Sequence, residues 1–154
     1  MSEIDNSGNQ TLNVTEETAS SISSLKDFET DVFDAVYDYI VPDKLPDGNF
    51  RSEYVSEFES LPLGTLIRMD SIPDWNRQST SDYEDLTVDT YESHVYALTM
   101  DECKNIANAL AERMRQMNFR RLTMRPVLNG NDTSVSQIVM RFEHRIDNKG
   151  NMYR

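Results

Sequence analysis

Five arginines, Arg113, Arg115, Arg120, Arg121 and Arg125, fall within 13 residues, and they form the densest chemical constellation in the chain. A guanidinium offers a planar fork of donors that suits carboxylates and phosphates alike. The cluster therefore points to an acidic protein surface or to nucleic acid. Interleaved aromatics and a recognition helix, which a DNA-reading stripe would carry, are missing, and the acidic remainder of the chain would repel a polyanion. Sequence-specific nucleic-acid binding is not expected. A carboxylate counterpart stands on the chain itself, because Asp27, Asp31, Asp34 and Asp38 recur at helical spacing. The favoured reading is an interface in which these arginines meet the acidic helix of a neighbouring copy. The plainer alternative is that they offset a helix-end dipole and are otherwise solvated.

Other catalytic templates lack parts. A thiol nucleophile would need Cys103 beside His94 or His144, but Cys103 falls on the apolar stripe of a helix and reads as a small core residue. His144 lies on the apolar side of an alternating strand, where a packed, hydrogen-bonded imidazole is expected, and His94 reads as a sheet-surface residue. Two histidines and one cysteine give no zinc spacing. The run Asp82, Glu84, Asp85 and Asp89 lacks the glycine and ligand spacing of a calcium loop and reads as a solvated loop. No phosphate-binding glycine loop or Gly-x-Ser-x-Gly elbow occurs. The triplets at Asn13 and Asn131 match a glycosylation acceptor only by chance, in the absence of a secretory signal. No enzyme activity, cofactor or metal is expected.

These residues must be positioned by a chain of 154 residues, 38% hydrophobic, long enough for one domain with a real core. A single cysteine excludes an internal disulfide and fits a reducing compartment. No apolar run is long enough to span a bilayer and the first residues are acidic and polar, so neither a membrane protein nor one exported by a signal peptide is expected. The net charge of −12 is unevenly spread: residues 1–99 carry 5 Lys/Arg against 21 Asp/Glu, and residues 100–154 carry 10 against 6. An electrically polar subunit of this kind favours contact between unlike faces of identical copies.

Residues 1–23 are polar and acidic with no sustained apolar period, so they read as an arm that is disordered in the free subunit and orders on assembly. Residues 24–154 form the domain. Leu25, Phe28, Val32, Val36 and Ile40 give a helix capped at Ser23 or Ser24 and stopped by Pro42. A short turn of helix is expected near residues 52–58. Strands follow at 61–72, centred on 65–69, and at 86–98. Thr99-Met100-Asp101-Glu102 is a capping box, and the stripe Cys103, Ile106, Ala107, Leu110, Met114, Met117 makes its helix amphipathic until Asn118 ends it. A strand at 119–125, closed by Pro126, and an alternating strand through Ile138, Met140, Phe142, His144 and Ile146 complete the pattern, with a last short strand or tail at 151–154. The expected fold is α+β: a largely antiparallel four-stranded sheet with packed helices, in the order helix-strand-strand-helix-strand-strand.

Within this frame, residues 61–154 carry Tyr91-Glu92-Ser93-His94-Val95-Tyr96-Ala97 before the capped helix, then Met117-Asn118-Phe119-Arg120-Arg121, Arg125-Pro126-Val127-Leu128-Asn129, Met140-Arg141-Phe142-Glu143 and Asn151-Met152-Tyr153-Arg154. In order and spacing this half resembles the tail-completion, or head-to-tail joining, proteins of long-tailed bacteriophages, a tail-terminator-like family often labelled minor capsid proteins. The family's usual Gly before the Phe is Asn118 here, and the acidic arm is an addition the resemblance does not cover. The resemblance implies a structural virion protein made in the host cytoplasm, a ring, commonly hexameric, that caps the tail tube and joins it to the head-tail connector. Its partners would be other copies, the tail-tube protein and the connector. A head-completion or adaptor protein on the portal side is the alternative in the same setting, and a nucleic-acid-binding accessory protein using residues 113–125 is the alternative from another class.

Overall fold

Thr99 starts a helix as its capping box predicts: its hydroxyl accepts the Glu102 amide N–H at 3.2 Å, which satisfies one of the donors a helix start leaves free. The helix runs Met100–Gln116, with Asp101 and Glu102 in its first turn and Arg113 and Arg115 in its last, each suited to the dipole end it occupies. Its end is a Schellman turn. Asn118 takes φ 65°, the Asn118 N–H reaches the Arg115 carbonyl and the Phe119 N–H reaches that of Met114, both at 3.0 Å. Phe119 is thereby driven back into the core beside Met114.

In this computed structural model the described residues are 28–57, 60–74, 86–128 and 134–147, with the backbone of 152–153. Arm residues 1–23, the expected cap at Ser23 or Ser24, Leu25, Asp27, and the acidic trio Asp82, Glu84 and Asp85 lie outside them. The elements are α1 (Glu29–Lys44), β1 (Phe50–Arg51), β2 (Leu63–Pro73), β3 (Leu86–Ala97), α2 (Met100–Gln116), β4 (Arg120–Val127), β5 (Ser136–Asp147) and β6 (Met152–Tyr153). The fold is α+β, but among the described residues the sheet has six strands rather than four and is mixed. Its order is β1-β2-β3-β5-β4, with β6 pairing β5. Only β1–β2 is parallel. β6 meets β5 at Arg145 and Ile146, beyond the point where β4 begins opposite Glu143, so β4 and β6 share one edge of β5.

β1 was not expected, and the turn of helix expected near residues 52–58 does not form in 52–57, the part of it that is described. Phe50 is held by stacking on Phe33 of α1, ring centres 4.8 Å apart. Asn49 bonds the Ser60 hydroxyl and, at 3.4 Å, the Pro62 carbonyl. Two glycines allow the path. Gly48 takes φ +70°, and a side chain on Gly64 would meet the Phe50 ring at 3.1 Å.

Val32, Val36 and Ile40 of α1 and Cys103, Ile106, Ala107, Leu110 and Met114 of α2 pack on Leu66, Tyr91, Val95, Met140 and Phe142 of one sheet face. Pro42 does not stop α1, which continues to Lys44. A proline in the final turn removes a single backbone bond, and Leu45 closes the end on the Val41 carbonyl at 3.3 Å. Pro126 likewise lies inside β4, opposite Ile138, because an edge strand tolerates a missing donor. Leu110→Ala should lower unfolding free energy by about 2–5 kcal/mol and Thr99→Ala by about 1 kcal/mol. Urea denaturation of the two variants should rank them in that order.

Candidate functional site

α2 and β4 enclose an open groove of about 620 Å3, bordered by Asn108, Ala111, Glu112 and Arg115 from the helix, Phe119 from the turn that follows it, and Arg120, Arg121 and Phe142 from the sheet. Of the five clustered arginines, Arg115 and Arg121 turn into it, whereas Arg120, opposite Glu143 in the register, stands on the sheet face away from the helices. Arg115 forms a forked pair with Glu112 at 2.6 and 3.0 Å, and Arg120 pairs with Glu143 at 3.0 Å. Arg121 donates to the Met124 thioether at 3.2 Å, and no carboxylate among the described residues pairs with it. All three side chains are exposed.

Arg113 and Arg125 are turned elsewhere as well. At about 100° per residue, Arg113 stands about 200° around α2 from Arg115, and it faces α1. Its Nε donates to the Ala35 carbonyl at 3.1 Å and its guanidinium lies 5.4 Å from the Tyr39 ring centre. It clamps α2 to α1 within the chain and stands on the other side of α2 from the groove. Arg125 is parted from Arg121 by a bulge. The β4–β5 register shifts between Arg121 and Thr123, so Arg121 pairs with Phe142 on the helix-covered face while Arg125 pairs with Val139 on the opposite face. Simple alternation would have put both on one face.

Asp31, Asp34 and Asp38 occupy one exposed strip of α1. No cation among the described residues pairs with them. The acidic strip and the groove thus sit on opposite flanks of α2, joined to it through the Arg113 clamp on one side and Ala111 and Arg115 on the other.

The face of the sheet away from the helices carries a polar network that sequence reasoning did not assemble. Gln137 donates to His94 Nδ1 at 2.8 Å and to Tyr96 Oη at 3.3 Å. His94 Nε2 meets Glu92 Oε1 at 2.7 Å, and Arg141 Nε donates to Glu92 Oε2 at 2.8 Å. The alternation of Glu92, His94 and Tyr96 along one strand was a signal for their common face. Their link to Gln137 and Arg141 depends on the β3–β5 register. Burial works against the charge on Glu92, but hydrogen bonds from His94 and Arg141 outweigh it and hold the carboxyl below its usual value. Both imidazole nitrogens are engaged within the group, and its one hydroxyl among the described residues, that of Tyr96, accepts from Gln137 and is pushed up in pKa by burial, so the group reads as a structural platform.

Cys103 is buried, its thiol donating to the Val95 carbonyl at 3.1 Å. Burial pushes its pKa up to about 11, which keeps it protonated at neutral pH. His144 is packed as expected, 3.8 Å from the Phe119 ring centre in a stack, but it is not hydrogen-bonded. The stack sets the ring plane, and the Asp89 carboxylate stands 3.8 Å away, too far for a hydrogen bond. Asp89, read from sequence as part of a solvated loop, is buried opposite His144 in the sheet. Burial disfavours its charge, yet His144, Ser71 and Arg68 hold its carboxyl below the usual range. Among the described residues no group of three or more His, Cys, Asp or Glu is placed to hold a metal, and no helix is long and apolar enough to cross a membrane.

No family model matches the chain, and no curated protein matches it.

Because the Glu92 carboxyl is lowered in the folded state, its contribution to stability is present above the unfolded value of 4.5 and is lost as pH falls through the folded one. Glu92→Gln should therefore be less stable than the parent at neutral pH and should lose less stability on acidification below pH 4.5. Thermal melts of both proteins across an acid titration would measure the difference.

Proposed function

We propose that this chain is a structural virion protein at the head-to-tail junction of a long-tailed bacteriophage, forming a ring that completes the tail and joins it to the connector. It acts by contact with copies of itself, the tail-tube protein and the connector, without catalysis or cofactor. The resemblance of residues 61–154 to tail-terminator-like proteins motivates the setting, and it covers everything from the start of β2 onward.

The observation that carries the reading is the separation of charge across α2. An exposed acidic strip, Asp31, Asp34 and Asp38, lies on one flank, and a groove into which Arg115 and Arg121 turn lies on the other. Surfaces that are complementary but different, placed on opposite sides of one subunit, make heterologous contacts, and these close into rings when the rotation allows. Nucleic acid is a poorer occupant of the groove. Of its two arginines, Arg115 already pairs with Glu112, and the whole chain carries −12.

Arg115→Glu with Arg121→Glu should weaken self-association, and adding Asp31→Lys with Asp34→Lys should partly restore it. The stability of the isolated subunit should move by no more than about 1 kcal/mol per exposed pair. Sedimentation velocity on the three proteins reads the outcome, and unchanged assembly in the arginine reversal would remove the electrostatic interface.

A further inference from the structure

The acidic strip of α1 supplies carboxylates to a neighbour but offers the groove no aliphatic side chain, although Ala111, Phe119 and Phe142 line the groove alongside its arginines. The chain contains a second acidic segment that has both. Residues 1–27 hold five Asp/Glu against a single Lys, interspersed with Ile4, Leu12, Val14 and Ile22. We propose that the N-terminal segment, residues 1–27, of one copy occupies the α2–β4 groove of the next. This inference rests on the ring reading above and adds the segment that fills the joint.

Three observations support that occupant over others. The first is charge: Arg121 has no carboxylate partner among the described residues, and a guanidinium fork at a groove rim is best satisfied by one. Second, apolar complementarity is available, since aliphatic side chains can rest on Ala111 and on the hydrocarbon stems of the arginines. The third is the point of departure. Glu29 accepts the Arg68 backbone N–H at 3.2 Å, which pins the start of α1 to β2. The groove lies at β4, separated from β2 by β3 and β5, about 14 Å across the sheet. When unlike flanks of adjacent copies meet, the start of α1 is brought beside the neighbour's groove, while the chain's own groove lies on the far flank of α2. Tethering at that point raises its local concentration there, so modest contacts suffice for occupancy.

The test uses the full-length chain carrying a photo-crosslinking amino acid at Asn108, an exposed groove position, assembled from an equal mixture of isotope-labelled and unlabelled chains. Mass spectrometry of the irradiated assembly should find Asn108 joined to peptides within residues 1–27, with mixed isotope pairs. Glu16→Lys with Glu17→Lys in the same chain should lower that yield severalfold. Rings whose Asn108 crosslinks go to other segments, or only to residues 1–27 of the same chain, would overturn the arm assignment and leave the ring standing. Failure of the unmodified chain to form rings would overturn both.

Discussion

The amphipathic stripe of α2 has to be buried, and the direction it faces determines the rest of the molecule. Cys103, Ile106, Ala107, Leu110 and Met114 are all withdrawn from solvent against the β3–β5 pair. Burying a single large aliphatic side chain contributes about 1.5–3 kcal/mol, whereas an exposed ion pair contributes about 0–1 kcal/mol. Packing therefore sets the rotation of the helix and the charges follow it. Once the stripe faces the sheet, Arg113 must turn toward α1, and Asn108, Ala111 and Arg115 must turn toward β4. The two flanks acquire different chemistry from one helix.

The termini of α2 extend that control into the sheet. Thr99 joins the helix directly to the end of β3, and the Schellman turn at Asn118 returns the chain as Phe119, which packs against Tyr91 edge to face with ring centres 5.2 Å apart. β4 then begins at once, so its first arginines stand beside the last turn of α2. The bulge at Leu122 keeps Arg121 on the groove side, sends Arg125 to the far face, and leaves Leu122 itself 42% exposed. A matching irregularity between Arg68 and Asp70 in β2 falls where the strand passes from its buried first half to the exposed run that Met69 opens.

Much of this was legible in the sequence because it depends on local signals. The capping box, the helix stripe, the left-handed ending at Asn118 and the alternation from Ile138 to Ile146 each involve residues close along the chain, and each appears in the fold. What could not be read depends on pairing between distant segments. β1 exists because Phe50 reaches Phe33 and lies against Gly64, a contact no local pattern announces. The five arginines look like one patch from spacing alone, but helix rotation removes Arg113, strand register removes Arg120 and a one-residue bulge removes Arg125. The Glu92–His94–Gln137–Arg141 network needs the β3–β5 register to become visible. Pro42 and Pro126 misled because each costs little where it stands: in the last turn of α1 a proline removes one backbone bond with almost no helix left to break, and on a sheet edge its missing donor can face away from the neighbouring strand.

The chain that results is asymmetric in charge across its two layers. On this account its unlike flanks engage successive copies around a closed circle, with the acidic side of each meeting the basic groove of the next. Electron microscopy of the purified full-length protein tests this most directly. The account predicts closed rings of one size built from identical subunits. Isolated subunits at concentrations where assembly should be complete, or two-fold dimers joined through like surfaces, would contradict it.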